Sequence, residues 1–376
     1  MIPLRIGVNG RCLEESDTRG LSRYASCLLR ALSARADVDL VLFSMAPPAP
    51  VHLHGVRAEI VVFGGRETAW QERELPARLR RERIDVLHAP ADRGLPWRRV
   101  CPQVVTVHDS YERAHWRELF TTWKQRAWYW KHELTNRVRA DAILTVSDTA
   151  AGDLVARHVA PAALLTRTYL AAADEFRAEP IPADADIVAR HDVREPYLLY
   201  VGGYDTRKNV DALVRAFDRL DGDRQLVIVA RQIGAFHGLA ASWRALRCHE
   251  RLRCLEVPAG DLPALYRRAL LFINPSLWES FSFQTLEAMA CGTPVIASNR
   301  TAIPEIAGDA AVLVDAADVE ALAGAIATLA ADAPQRAVLR TRGLRRATEF
   351  SWPATADHTV QVYRRILAAR PPRHRT

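Results

Sequence analysis

The stretch Leu270–Ala297 constrains the fold more than any other. An unbroken apolar run, Leu270-Leu271-Phe272-Ile273, closes on Asn274-Pro275 and reads as a buried strand. After a polar turn, Phe283, Leu286 and Met289-Ala290 recur at helical spacing, and Gly292 stands where a helix C′ residue belongs. Pro294 then leads into a second apolar run, Val295-Ile296-Ala297. Strand, loop, helix and strand in this order form a unit of a parallel sheet. Such sheets bind ligands in the crevice at the carboxyl ends of their strands.

Two carboxylates belong to that unit, Glu279 in the loop and Glu287 on the helix. An ionised carboxylate only accepts hydrogen bonds, so the paired hydroxyls of a hexose or a ribose suit it. The helix start near Ser282 offers backbone N–H groups to an anion. Sugar, ribose and phosphate together describe a nucleotide sugar. The plainer reading is a solvated loop charge and a helix-surface charge.

At 376 residues the chain is long enough for two domains, each with its own core. With 49% hydrophobic and 25% charged residues it has the composition of a globular protein, and no run of about 18 apolar residues is present to span a membrane. Met1 to Val8 reads as a first strand and not as a signal peptide. The six cysteines show no metal-like spacing, so reduced thiols are expected. The net charge of +7 comes from dispersed arginines; without a charge block or a nucleic-acid motif, no nucleic-acid partner is expected.

In the first half, Ser22 is a candidate cap for a helix bearing Tyr24, Leu28, Leu29 and Leu32. No G-x-G-x-x-G follows the first strand, which argues against dinucleotide binding. Val104 to Val107 reads as a buried strand ending in His108-Asp109, at the sheet edge where chemistry occurs; His88 ends another strand and has a weaker claim. From His115 to Arg139, Trp116, Phe120, Trp123, Ala127, Trp130 and Leu134 form one apolar stripe on a long helix, expected to pack against the core. Trp128 and Tyr129 fall off it among basic residues, which makes an anionic membrane surface a candidate partner through Trp128, Lys124 and Lys131. In the second half, Gly202-Gly203 and Arg207-Lys208 precede a helix that Asn209 is expected to cap, an arrangement suited to a diphosphate.

The run E-S-F-S-F-Q-T-L-E-A-M-A-C-G-T-P-V-I, from Glu279 to Ile296, resembles the E-x7-E signature of the retaining glycosyltransferases of family 4. The resemblance implies an α/β fold of GT-B type, with two Rossmann-like domains facing across a cleft. It implies an N-terminal acceptor-binding domain over 1–175, a nucleotide-sugar-binding domain over 176–350, and a terminal helix over 351–376 crossing back to the first. Glu279 then contacts donor-sugar hydroxyls, Glu287 the ribose, and Lys208 the diphosphate, while His108 lies near the transferring sugar. Gly203, Phe281 and Ser282 fall at donor-binding positions, and Gly20 matches the glycine-rich turn after the first strand. Three departures stand out: Ser282 replaces a usual Gly, Gly203 replaces an Arg for which Arg207 is the candidate substitute, and Leu170-Ala171-Ala172-Ala173 replaces an Asn-Gly turn.

The implied activity is metal-independent hexosyl transfer, with mannose or another hexose moved from a nucleoside diphosphate sugar to an acceptor hydroxyl. That sugar is a substrate, and no cofactor is expected. The acceptor would be a carbohydrate or a lipid-linked group in bacterial polysaccharide or glycoconjugate assembly. The expected location is the cytoplasm, including the inner face of the membrane as a peripheral site. A non-catalytic nucleotide-sugar-binding relative, or an epimerase or phosphorylase on the same fold, are the alternatives.

Overall fold

A computed structural model describes residues 3–16, 20–64, 70–230 and 242–369. The chain divides into two compact units: Met1–Leu170 together with Trp352–Thr376, and Ala171–Ser351. Thr18 and Arg19, ahead of Gly20, lie outside the described residues.

The first unit is built on strands β1 (Leu4–Asn9), β2 (Val38–Ser44), β3 (Glu59–Val62), β4 (Val86–Ala89), β5 (Gln103–Thr106), β6 (Ala142–Thr145) and β7 (Leu165–Arg167), in the spatial order 3-2-1-4-5-6-7. The second carries β8 (Tyr197–Val201), β9 (Gln225–Val229), β10 (Leu252–Leu255), β11 (Leu271–Asn274), β12 (Val295–Ser298) and β13 (Ala311–Val314), in the order 10-9-8-11-12-13. All pairings are parallel. Each sheet reverses direction of winding once, between β1 and β4 and between β8 and β11, as doubly wound sheets do. The strands at the centre of each sheet are largely buried and apolar, as strands covered on both faces by helices are. Leu271, Phe272 and Ile273 have no exposed surface, and truncating Phe272 to Ala would cost about 3–5 kcal/mol.

Helices used below are α1 (Gly20–Ser33), α2 (Trp123–Arg139), α3 (Val210–Asp218), α4 (Leu262–Arg268), α5 (Phe283–Ala290), α6 (Val319–Ala331), α7 (Ala333–Thr348) and α8 (Trp352–Ala368). Gly20, with a left-handed φ of 51°, opens α1, so Ser22 sits inside the helix and is not its cap. Gly292 follows α5 with φ 73°, as a C′ glycine should. Arginines of α7 close three other helix ends. Arg336 donates to Leu329 O and Ala330 O at the end of α6, and Arg340 to Gly292 O beyond α5. Arg346 donates to Glu305 O and Ile306 O. Each places a cation on carbonyls that lack helical partners.

The aromatic stretch corrects a sequence expectation. Residues 111–139 form three helices, Tyr111–Ala114, Trp116–Leu119 and α2. The face of α2 turned to the protein is Tyr129, His132, Thr135 and Asn136, while Trp123, Ala127, Trp130 and Leu134 are exposed. The polar side wins the interior because it has specific partners: Asn136 Nδ2 donates to Asp92 O at 2.5 Å, and Tyr129 stacks on Phe120 at 4.7 Å.

His88 is likewise a core residue. Its Nδ1 lies 2.6 Å from the Tyr363 hydroxyl of α8, and its Nε2 lies 2.9 Å from Thr106 Oγ1, which also meets Tyr24 OH at 2.9 Å. Burial, reinforced by the nearby His108, pushes the His88 pKa down to about 3. The unfolded chain therefore binds a proton on His88 below about pH 6.5 that the folded protein takes up only near pH 3. Between these values His88 should lower folding stability by about 1.4 kcal/mol per pH unit of acidification. Denaturant titrations across that window should show a shallower acid-side slope for His88→Gln than for the wild type.

Candidate functional site

The reversal between β8 and β11 sends two loops from adjacent carboxyl ends to the same place, Gly202–Asn209 and Pro275–Ser282. They are joined by backbone and side chain: Leu277 N donates to Arg207 O at 2.7 Å, and Asn209 Nδ2 to Pro275 O at 3.3 Å and Ala316 O at 2.7 Å. Asn209 adopts the left-handed conformation, φ 54°, and its side chain ties these loops instead of capping α3 as the sequence suggests.

Across this junction Lys208 Nζ lies 2.7 Å from Glu279 Oε1. The two side chains are 13% and 12% exposed, so the pair is largely shielded from bulk water. Glu279 is fixed by its backbone, with Glu279 N donating to Thr301 Oγ1 at 3.0 Å and Ala302 N to Glu279 O at 3.3 Å. Arg207 engages a carboxylate in its own loop, with Nε 2.8 Å from Asp205 Oδ1. Gly203 lends its carbonyl to the Tyr200 hydroxyl at 2.7 Å. Burial, then the charges of Glu279 and Asp205, hold that phenol well above its ordinary pKa, so Tyr200 remains a donor.

Ser282 stands at the start of α5 with φ 78° and ψ 67°. This left-handed geometry explains why a glycine suits the position. Here the hydroxyl compensates, accepting from Asn274 Nδ2 at 2.8 Å and donating to Thr285 Oγ1 at 2.8 Å. The backbone thus keeps a glycine-like path with a side chain folded inward. Phe281 is buried and its ring packs on Phe283 and Phe350 at 5.6 and 5.9 Å. Its side chain anchors the loop. Glu287, in the second turn of α5, is enclosed, and its Oε2 accepts from Tyr266 OH of α4 at 3.2 Å. Burial pushes the thiol of Cys291, at the end of the same helix, up to about 12.

Seven of the nine candidate residues, Gly203, Arg207, Lys208, Glu279, Phe281, Ser282 and Glu287, therefore fall on two neighbouring loops and one helix of the second unit. His108 and Gly20 belong to the first. His108 lies just past β5, with His108 N donating to Asp92 Oδ1 at 2.6 Å. Its ring Nε2 is 3.0 Å from Pro90 O, which assigns the proton to Nε2, and Tyr24 packs edge-on at 4.7 Å. Sequence reading missed Asn274, Thr301 and Tyr266, whose contributions are contacts between distant segments. The Asn274-Pro275 strand end was the only one with a local signal.

These elements, two doubly wound parallel sheets and a charged loop junction at a switch point, define a GT-B-type fold. Profiles described as "Glycosyl transferases group 1" and "Glycosyltransferase Family 4" match residues 185–346 and 18–169. The chain belongs to this group 1, family 4-type set of glycosyltransferases. It is 31% identical over 233 residues to O-antigen chain mannosyltransferase B of Escherichia coli, covering 60% of this chain and 61% of that one. It is 26% identical over 288 residues to the serotype-specific mannosyltransferase WbdA of Escherichia coli, covering 74% of this chain and 34% of the relative. The chain thus matches about three fifths of one relative and one third of the other. Among solved structures, sucrose-phosphate synthase from Thermosynechococcus elongatus superposes with a TM-score of 0.75 at 22% identity, covering 98% of this chain and all of that one.

Ser282 offers a direct check. Ser282→Ala keeps the left-handed strain and removes both hydroxyl bonds, whereas Ser282→Gly removes the strain as well. With about 1 kcal/mol for each bond and 1–2 kcal/mol for the backbone, Ala should be the less stable variant by about 1–2 kcal/mol in urea denaturation.

Proposed function

We propose that the protein transfers a hexosyl group from a nucleoside diphosphate sugar to an acceptor hydroxyl, with retention of anomeric configuration and without a metal ion. The Lys208–Glu279 pair at the switch point of the second sheet carries this reading. A shielded ion pair stabilises a fold poorly compared with apolar packing, so its place at a ligand-binding edge favours a functional role. Lys208 supplies charge to the leaving diphosphate, together with backbone N–H groups at the start of α5. Glu279 takes hydroxyls of the sugar, Glu287 the ribose diol, and His108 sits beside the transferring sugar. With a fixed cation at the leaving group, no metal is called for, and turnover should survive EDTA.

The second unit then binds the donor and the first presents the acceptor, a carbohydrate or lipid-linked hydroxyl of polysaccharide or glycoconjugate assembly. Mannose is the first donor sugar to try, since the two bacterial relatives above are mannosyltransferases. The hold of Asp205 on Arg207 favours a second reading, binding without turnover, because it leaves the loop one cation short at the diphosphate. Nucleotide release from a panel of GDP- and UDP-hexoses, with and without oligosaccharide acceptors, tests both. Tight binding with no release from any donor would leave a binding protein.

Within the transfer reading, Glu287→Ala should weaken nucleoside diphosphate binding by about 1.5–3 kcal/mol in calorimetry, while Glu279→Ala leaves it nearly intact and lowers turnover. Equal losses in the two variants would refute this division. Lys208→Ala should cost about 2.7–4 kcal/mol of transition-state stabilisation. Arg207→Ala should cost much less, and steady-state kinetics on the pair would show whether the loop has one working cation or two.

A further inference from the structure

At the edge of the second sheet opposite the candidate site lies a cavity of about 470 Å³. Its floor is the amino edge of three adjacent strands, where Pro196 precedes β8, Leu270 precedes β11 and Pro294 precedes β12. Its walls are the end of α4, with Arg267 and Arg268, and the first turns of α7, with Arg336, Ala337 and Arg340. The size falls within the range of small-molecule sites, and the whole lining belongs to the second unit. The transfer reading makes no use of it, because Lys208 and Glu279 meet beyond the carboxyl ends of the same strands.

Four arginines and one carboxylate, Glu195, line this space, and their pairing decides its charge. Arg267 is satisfied by Asp184, with Nε and Nη2 at 2.7 and 2.6 Å from its two oxygens, and both side chains are buried. Arg268 meets Glu195 in the same two-pronged way at 2.7 and 2.9 Å, but these side chains are 40% and 36% exposed. An ion pair so exposed is weakly held and can be shared with a competing anion. Arg336 and Arg340, one turn apart on α7, have carbonyl acceptors instead, Leu329 O and Ala330 O for the first and Gly292 O for the second, all through Nη1. Among the described residues no carboxylate pairs with either, and Asp332, one turn before Arg336, is turned to Gln335 N. Two positive charges therefore stand without a counter-charge. Their carbonyl bonds hold both guanidinium groups in place while Nε and Nη2 stay available. The prolines of the floor have no N–H, so recognition falls to the guanidinium groups, whose planar fork matches an oxyanion.

We infer that this cavity is a second anion site, which binds a phosphoryl oxyanion, free or carried on a small organic phosphate, between Arg268, Arg336 and Arg340. The apolar part of the lining, Pro196, Ala269 and Pro294, is left for the body of an organic phosphate. Arg340 also closes α5 at Gly292, and α4 lends Tyr266 OH to Glu287. An occupant thus sits against the helix that carries Glu287 and the helix that contacts it.

Isothermal titration calorimetry of the full chain at low ionic strength, with inorganic phosphate, pyrophosphate and phosphoenolpyruvate, tests this without any activity assay. Saturable binding is expected; a preference for phosphoenolpyruvate assigns the site to organic phosphates, and no such preference assigns it to free oxyanions. Ala337→Glu adds a carboxylate beside Arg340 and removes no side-chain contact, and it should weaken binding by roughly tenfold or more. Glu195→Gln removes the competitor for Arg268 and should tighten binding several-fold. Both positions are exposed, and circular dichroism checks that each variant is folded. Lys208→Ala, at the other edge of the sheet, separates the two sites: binding that survives it and is weakened by Ala337→Glu supports the inference. Binding unmoved by Ala337→Glu, binding abolished by Lys208→Ala in a folded protein, or no saturable binding of any of the three anions would each overturn it.

Discussion

The parallel pairing of β8 with β11, Leu198 beside Leu271 and Leu199 beside Phe272, is the contact on which the candidate site depends. It joins segments about 70 residues apart and makes their following loops neighbours. The sheet winds away in opposite directions from this pair, which opens a crevice at its carboxyl edge. Lys208 and Glu279 meet there, and the ion pair is a consequence of strand order before it is a property of either loop.

The site is held in shape by small polar side chains acting where glycine or regular structure would otherwise serve. Asn209 and Ser282 both take left-handed backbone conformations, and each anchors its side chain to a different segment. Asn274 ties the end of β11 to the start of α5 through Ser282 and Thr285, fixing the turn that carries Glu279. The arginines of α7 add a second layer, since Arg340 closes the far end of α5 at Gly292. The E-x7-E helix is thereby fixed at both ends by residues outside it.

The first unit shows the same use of buried polarity. Tyr24, Thr106, His88 and Tyr363 form a hydrogen-bonded line from α1 through β5 and β4 to α8. Thr355 Oγ1 donates to Tyr169 O at 2.5 Å, and Arg365 to Thr166 at 2.8 Å, so the last helix is integral to this unit despite its place at the end of the chain. In α2 a polar face won the interior from an apolar one, because hydrogen bonds to Asp92 O and stacking on Phe120 are directional in a way that a tryptophan stripe is not.

Much of this was legible in the sequence. Unbroken apolar runs such as Leu271–Ile273 and Val295–Ala297 identify strands buried on both faces, and the motif from Glu279 to Ile296 identifies the family. Local chemistry sufficed there, because hydrophobic period and turn residues act within a few positions. The sequence left open which face of α2 is buried, that residues 333–348 form a helix whose arginines cap others, and that Asn209 and His88 have the partners they do. Each of these is decided by groups tens or hundreds of residues away. Burial of a polar side chain is favourable only where a specific partner waits, and where that partner waits is fixed only once the sheets have assembled.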